Sequence, residues 1–193
     1  MTKPIIIAIC GKSASGKNTL ANELYKFLIK KNENTSLIVA NTTRPCRYYE
    51  ESGKDYNFVS HIDFLNGVYN EEYLEWTTFK GWKYGTHKDA ISDGINIGVF
   101  NPKALKKMLK LQTKYTVVPI LLNENLFIRL KRSYQREKRW KWEYLRRAWN
   151  DHKDFKNIDN DIKRNKYWLI FNHCEVTEIA YDVKLFLERE RLI

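Results

Sequence analysis

Cysteine is scarce in this chain: Cys10, Cys46 and Cys174 are the three in 193 residues, an odd number with no metal-ligand rhythm in their spacing. That argues against both a disulfide framework and a structural zinc site and fits a reducing, cytoplasmic setting. Long apolar runs are missing as well. No stretch approaches the roughly 20 residues needed to span a bilayer. The run at residues 5–10, preceded by Lys3 and Pro4, is too short for a signal peptide, so no membrane association is expected. The chain carries no internal repeat and no low-complexity segment. Acidic residues are in deficit, 23 against 34 Lys and Arg, which leaves a net charge of +11. A surplus of that size points to a polyanionic partner, either nucleic acid or nucleotide phosphates.

What is present suffices for one sizeable core, with 43% hydrophobic and 14% aromatic residues. The basic surplus is concentrated. Between residues 129 and 147 stand Arg129, Lys131, Arg132, Arg136, Lys138, Arg139, Lys141, Arg146 and Arg147 against Glu137 and Glu143, so more than half of the net charge lies in one segment. Such a segment either closes over a few phosphates or forms a solvated helix face. Trp140, Trp142 and Trp149 interleave with it, as packing between helices or as stacking surfaces for a base.

The chain alternates between strand and helix patterns. Residues 5–10 form a β-branched run suited to a strand buried on both faces. A glycine loop follows, then a helical pattern from 17 to about 31 with Leu20, Leu24, Phe27 and Leu28 on one side. Further strands are expected at 37–40, 95–100, 116–122 (interrupted by Pro119) and 167–171. Helices are expected from Asn101-Pro102 to about 111, from 126 onward, and from 176 to 191. This alternation predicts a parallel sheet between helix layers. Between 41 and 90 the pattern changes to short aromatic pieces at 56–59, 76–79 and 83–86, which suggests a small inserted subdomain with its own sheet.

Gly11-Lys12-Ser13-Ala14-Ser15-Gly16-Lys17-Asn18 has the glycines and the lysine of a Walker A loop, placed between a strand and a helix. In such a loop the backbone amides and the positive helix end face an anion, and the lysine reaches the terminal phosphates. One position departs: Asn18 stands where a Ser or Thr hydroxyl normally meets Mg²⁺, and its side-chain carbonyl is the available metal ligand. Thr19 is the adjacent hydroxyl.

A second motif reaches further. Asn41-Thr42-Thr43-Arg44-Pro45-Cys46-Arg47, then Glu50, Gly53 and Lys54-Asp55-Tyr56-Asn57-Phe58-Val59-Ser60, closely resembles the monophosphate-binding segment of guanylate kinases. Leu74-Glu75-Trp76 and Gly81-Trp82-Lys83-Tyr84-Gly85-Thr86 do so at the family's spacing. With the phosphate loop in front and the basic segment behind, the resemblance covers nearly the whole chain. It implies an α/β, P-loop fold in three layers. A parallel five-stranded core sheet would occupy 1–40 and 91–193, a monophosphate-binding subdomain with a mixed sheet 41–90, and a helical basic lid about 125–155. It implies transfer of the γ-phosphoryl group of ATP, with Mg²⁺, to GMP or dGMP. Gly11, Lys12, Ser13, Ala14, Ser15, Gly16, Lys17, Asn18 and Thr19 would bind ATP, and Arg44, Arg47, Tyr56 and Tyr84 the acceptor's phosphate. Glu75 and Thr86 would read guanine, while Lys17, Arg44, Arg136 and Arg147 would carry catalysis, with Arg132 a third lid candidate.

The residue types suit these roles in their own right. Two arginines three residues apart can clamp one phosphate. A buried carboxylate accepts from guanine's N1–H and 2-amino group, and a threonine hydroxyl can donate to O6, a pattern that adenine does not match. Two departures stand out. The strand Asn96-Ile97-Gly98-Val99-Phe100-Asn101 has none of the acids that the family usually carries there, with Asn101 as a partial replacement or a helix cap. Ala40-Asn41 replaces the small hydroxyl residues that commonly precede the Thr-Thr pair. They suggest a divergent member, and the abundance of Lys, Asn and Ile hints at a phage or virus source. Competing readings are a kinase of broader monophosphate range, a non-catalytic interaction module and a P-loop protein acting on polynucleotide ends. Retention of both Lys17 and the basic segment disfavours the second, and the compact base-reading motif disfavours a nucleic-acid partner.

Overall fold

The computed structural model describes residues 3–30, 34–48, 50–79, 81–137, 142, 149, 151–172 and 175–193. Its centre is the β-branched run near the amino terminus. Strand β1 (Ile5–Gly11) is buried along its whole length, and the period of two sends its side chains into two separate cores. Ile5, Ile7 and Ile9 pack with Leu20, Leu24 and Leu28 of helix α1 (Lys17–Ile29) and with Ile179, Val183 and Leu187 of α6 (Val176–Arg189). Ile6, Ala8 and Cys10 pack with Ala104, Leu105 and Met108 of α3 (Pro102–Met108) and with Ile158 and Ile162 of α5 (Ile158–Lys163). A sheet apolar on both faces and covered by helices on both is a three-layer α/β fold.

The core sheet has the order β2 (Thr35–Leu37), β7 (Ile95–Val99), β1, β8 (Thr116–Leu122), β9 (Leu169–Phe171), with every pairing parallel. Pro119 lies one residue before the stretch of β8 that pairs with β9, Ile120 to Leu122, so it sits outside the doubly paired part of the strand. A second, mixed sheet has the order β4 (Asn57–Phe58), β3 (Asn41–Thr42), β6 (Trp82–His87), β5 (Tyr73–Phe79). Helix α2 (His61–Tyr69) packs on it through Phe64, and α4 (Leu126–Glu137) follows β8. Among the described residues, no helix is long and apolar enough to cross a membrane.

Several boundaries differ from the sequence reading, for identifiable reasons. The second core strand ends at Leu37, although the pattern places it at 37–40. Its register is set by Thr35 opposite Ile95, and beyond Ile38 the chain leaves the sheet edge for the second sheet, where the Asn57 N–H donates to the Ala40 carbonyl (3.0 Å). Strand β5 starts three residues early because an irregularity between Tyr73 and Glu75 lets the strand continue past it. The last core strand starts at Leu169 because that is where pairing with Ile120 begins. Helix α2 goes unread in the sequence. It is capped by Ser60, whose Oγ accepts from the Asp63 N–H (3.0 Å), and Gly67 within it makes room for Tyr73, whose ring would lie 2.7 Å from a Cβ.

Candidate active site

Strand β1 delivers the chain to Gly11, where a Cβ would meet Ser15 Oγ at 2.6 Å and the Leu122 carbonyl at 2.8 Å. The loop turns through Ala14 (φ +59°) and Gly16 (φ +94°), the second a left-handed conformation that glycine adopts without strain. It enters α1 with the Leu20 N–H bonded to the Gly16 carbonyl (2.9 Å). Lys17, the first residue of α1, reaches back across the loop to the Lys12 carbonyl (Nζ to O, 3.0 Å). Ser15 is buried beneath the loop, while Asn18 and Thr19 lie exposed on the first turn.

One contact across this loop goes unread in the sequence. Asp151, four residues beyond Arg147, accepts from the Ser13 N–H (Oδ2, 2.8 Å) and from Ser13 Oγ (Oδ1, 3.3 Å). Buried Arg129 of α4 completes the cluster, donating to Asp151 Oδ2 (3.1 Å) and to the Ser13 carbonyl (3.2 Å). A carboxylate therefore occupies a backbone amide of the loop that carries the Walker A pattern. The sequence separation of 138 residues between Ser13 and Asp151 hides it from pattern reading.

The facing wall belongs to the second sheet. Glu75 and Thr86 are paired across β5 and β6 and almost fully buried. The Thr86 hydroxyl donates to Glu75 Oε1 (2.9 Å), while Oε2 is buried without a hydrogen-bond partner. Burial pushes the Glu75 carboxyl up to about 7, against the opposing pull of the Thr86 hydrogen bond and of the Lys107 charge. Tyr56 and Tyr84 meet edge to face at 5.9 Å. The Arg44 guanidinium lies over Tyr56 and is held by Glu50 in a two-pronged pair (2.9 and 2.8 Å). Burial works against that charge, but Glu50, with Tyr84 adding to it, holds the guanidinium above its ordinary value. Burial likewise opposes the Glu50 carboxylate, yet Arg44 and the Arg47 backbone leave it below its ordinary value. Arg47 is exposed, with Nη1 3.8 Å from Glu50. Cys46, exposed between the two arginines, has one S–H that the carbonyls of Arg47 and Glu50 share, at 3.4 and 3.3 Å from Sγ.

A cleft of about 480 Å³ joins the two walls: Gly11, Ser13 and Lys17 line it on one side, Tyr56, Glu75, Tyr84 and Thr86 on the other. Arg44, which lies over the Tyr56 ring, Arg47, Asn18 and Thr19 are not among the residues that line it. Of the lid residues, Arg136 falls on α4 and Arg147 lies outside the described residues. Arg132 pairs with Glu124 (3.2 Å), and its guanidinium comes 3.6 Å from where a Cβ on Gly16 would be. Trp142 and Trp149 are 86% and 70% exposed, and Trp140 lies outside the described residues.

The acid-free strand has its own logic. Asn96 is fully buried and joins the sheet edge, donating to the Ser92 carbonyl (2.8 Å) and accepting from Ser36 Oγ and the Ser92 N–H (both 2.9 Å). Asn101 both caps α3, through Oδ1 and the Ala104 N–H (2.9 Å), and donates from Nδ2 to Thr77 Oγ1 (3.0 Å). Among the described residues, no group of three His, Cys, Asp or Glu side chains is placed to hold a metal ion.

The guanylate kinase family model matches residues 1–189. The chain belongs to the guanylate kinase family. A guanylate kinase of Thermotoga maritima is 40% identical over 93 residues, 48% of this chain and 43% of that protein. One from Wolinella succinogenes is 36% identical over 97 residues, 50% and 43%. In these matches the chain spans less than half the length of the curated relatives. The crystal structure of guanylate kinase from Anaplasma phagocytophilum superposes with a TM-score of 0.71 at 20% identity, covering 100% of this chain and 89% of that one, a likeness of fold. Neither relative is a phage protein, and the compositional hint of a phage source has no support. Within this fold the core sheet carries the glycine loop from Gly11 to Gly16, and the mixed sheet carries the paired Glu75 and Thr86.

Proposed function

We propose that the chain is an ATP-dependent guanylate kinase that passes the γ-phosphoryl group of ATP to GMP or dGMP. The observation that carries this reading is the buried, unpartnered Glu75 Oε2 in a cleft whose opposite wall is the phosphate loop. A buried acceptor oxygen without a donor is matched by guanine's N1–H and 2-amino group. The core would comprise 1–40 and 91–193, the acceptor subdomain 41–90 and the lid about 125–155.

In this reading Gly11 to Thr19 receive ATP, with Lys17 and the loop amides on its terminal phosphates. Arg44, released in part from Glu50, clamps the acceptor's phosphate with Arg47, Tyr56 and Tyr84. Arg136 and Arg147 close over the transferring group. No covalent intermediate is needed, because alignment and charge stabilisation carry phosphoryl transfer. Magnesium would enter with the triphosphate and neutralise phosphate charge; the residue nearest to that duty is Asn18, a neutral oxygen donor, and the described residues add no carboxylate cage. A coupled assay of ATP against all ribo- and deoxynucleoside monophosphates tests the proposal, with GDP or dGDP as the expected product. Equal turnover of AMP, CMP and GMP would overturn the guanine assignment, and no turnover of any would overturn the kinase.

Two further outcomes follow. Guanine needs the unprotonated Glu75, whose carboxyl sits near 7. The protonated form dominates below that value and its proton must leave before guanine's donors are accepted. Hence kcat/KM for GMP should rise with pH up to about 7 and level off above it, an inflection that a pH profile of Glu75→Gln should lack. Asp151 holds the Ser13 N–H that a phosphate would take. Asp151→Asn removes the competing charge, so ATP titration should show severalfold tighter binding, and weaker binding would assign Asp151 to loop support.

A further inference from the structure

Next to the base-reading pair lies a second polar pair, Thr77 and Asn101. Thr77 is 5% exposed and lines the cleft. It stands two positions from Glu75 on β5, on the same face, opposite Tyr84 on β6 as Glu75 is opposite Thr86. Asn101 comes from the other sheet, at the end of β7. Its amide orientation is fixed at both ends: Oδ1 accepts the Ala104 N–H (2.9 Å) and Nδ2 donates to Thr77 Oγ1 (3.0 Å). Turned over, it would set donor against donor at Ala104. Asn101 occupies one lone pair of the Thr77 oxygen, which leaves its proton and a second lone pair to offer the cleft.

The cross-strand pairs also order a nucleotide along the cleft. Glu75 and Thr86 mark the base end, and the ring of Tyr84 reaches Tyr56 and, beyond it, Arg44 at the phosphate end. Between them comes Thr77. Two residues along a strand advance it by about 7 Å, comparable to the reach from a purine's N1 edge across the rings to the sugar. We propose that Thr77, oriented by Asn101, donates a hydrogen bond to the 2′-hydroxyl of the acceptor and makes the chain select GMP over dGMP. This rests on the guanine reading of the cleft and deepens it by naming the sugar; Thr77 touches substrate, and Asn101 is a positioning residue.

The test is kcat/KM for GMP and dGMP, with ATP as donor, in four proteins. Wild type should favour GMP about fivefold or more, the scale of one neutral hydrogen bond. Thr77→Val, which keeps the shape and removes the hydroxyl, should bring the ratio to about one by lowering the GMP value alone, whereas Thr77→Ser should retain the preference. Asn101→Ser keeps a capping oxygen for α3 but withdraws the amide, and should lower the ratio with Tm nearly unchanged; an unchanged ratio there overturns the positioning role. A wild-type ratio near one, or an equal loss for both sugars in Thr77→Val, overturns the proposal, and the wild-type ratio decides alone if the valine variant does not fold. A wild-type protein active on neither substrate fails as a guanylate kinase, and the sugar assignment falls with it.

Discussion

Lys17→Met is expected to lower kcat by about 10² to 10³-fold, the usual loss when one preorganised charge is taken from a developing anion. Lys17 sits on the first turn of α1, lines the cleft and is bonded to the Lys12 carbonyl at 3.0 Å, so its ammonium spans the mouth of the loop. Methionine keeps the length of the side chain and its helix propensity while deleting the charge. The hydrogen bond to the Lys12 carbonyl is a loss of about 1 kcal/mol, small for a domain whose core strand is buried throughout. Steady-state turnover paired with a thermal melt separates the two effects. A purified Lys17→Met protein with undiminished turnover and an intact melt would exclude the loop as donor site.

Glu75→Ala should erase base selection. Wild-type protein is expected to prefer GMP over AMP by at least about two orders of magnitude, because an acid facing adenine's N1 sets acceptor against acceptor. Alanine leaves guanine's two donors unpaired in a buried pocket, at about 1 to 3 kcal/mol each. Losses of that size lower kcat/KM for GMP and dGMP by about 10²-fold or more, with AMP little changed. ATP affinity should stay near its wild-type value, since the loop from Gly11 to Lys17 lies on the opposite wall. An unaltered GMP-to-AMP ratio in the variant would remove Glu75 from base recognition.

Local chemistry and medium-range pattern made the central parts legible. The β-branched run, the glycine loop and the amphipathic helix that follow one another at residues 5–31 each carry their own signal, and together they form β1, the phosphate loop and α1. The pair Glu75 and Thr86 is legible only as a family pattern; that they face each other follows from the antiparallel register of β5 and β6. Short elements escaped. Strand β3 is two residues long, and α2 carries a glycine, a poor helix former, where the Tyr73 ring takes the space a Cβ would fill. The contacts hardest to read join distant segments: Asp151 to Ser13 across 138 residues, and Asn101 to Thr77 across 24. Nothing in residue type or spacing at Asp151 distinguishes it from any solvated acid in a basic stretch. The Asn101 cap, by contrast, is a local event, and its dipeptide with Pro102 announces it.

The two cysteines within the described residues differ in reactivity. Cys10 lies inside the core with its thiol pushed up to about 12 by burial, so it forms little thiolate and offers no access to reagents. Cys46 is exposed and sits between Arg44 and Arg47, the residues that would meet the acceptor's phosphate. With Cys174 exchanged for serine, the chain would carry one addressable thiol at the rim of the acceptor pocket. An environment-sensitive fluorophore attached there would report acceptor binding in a stopped-flow trace, before and independently of phosphoryl transfer.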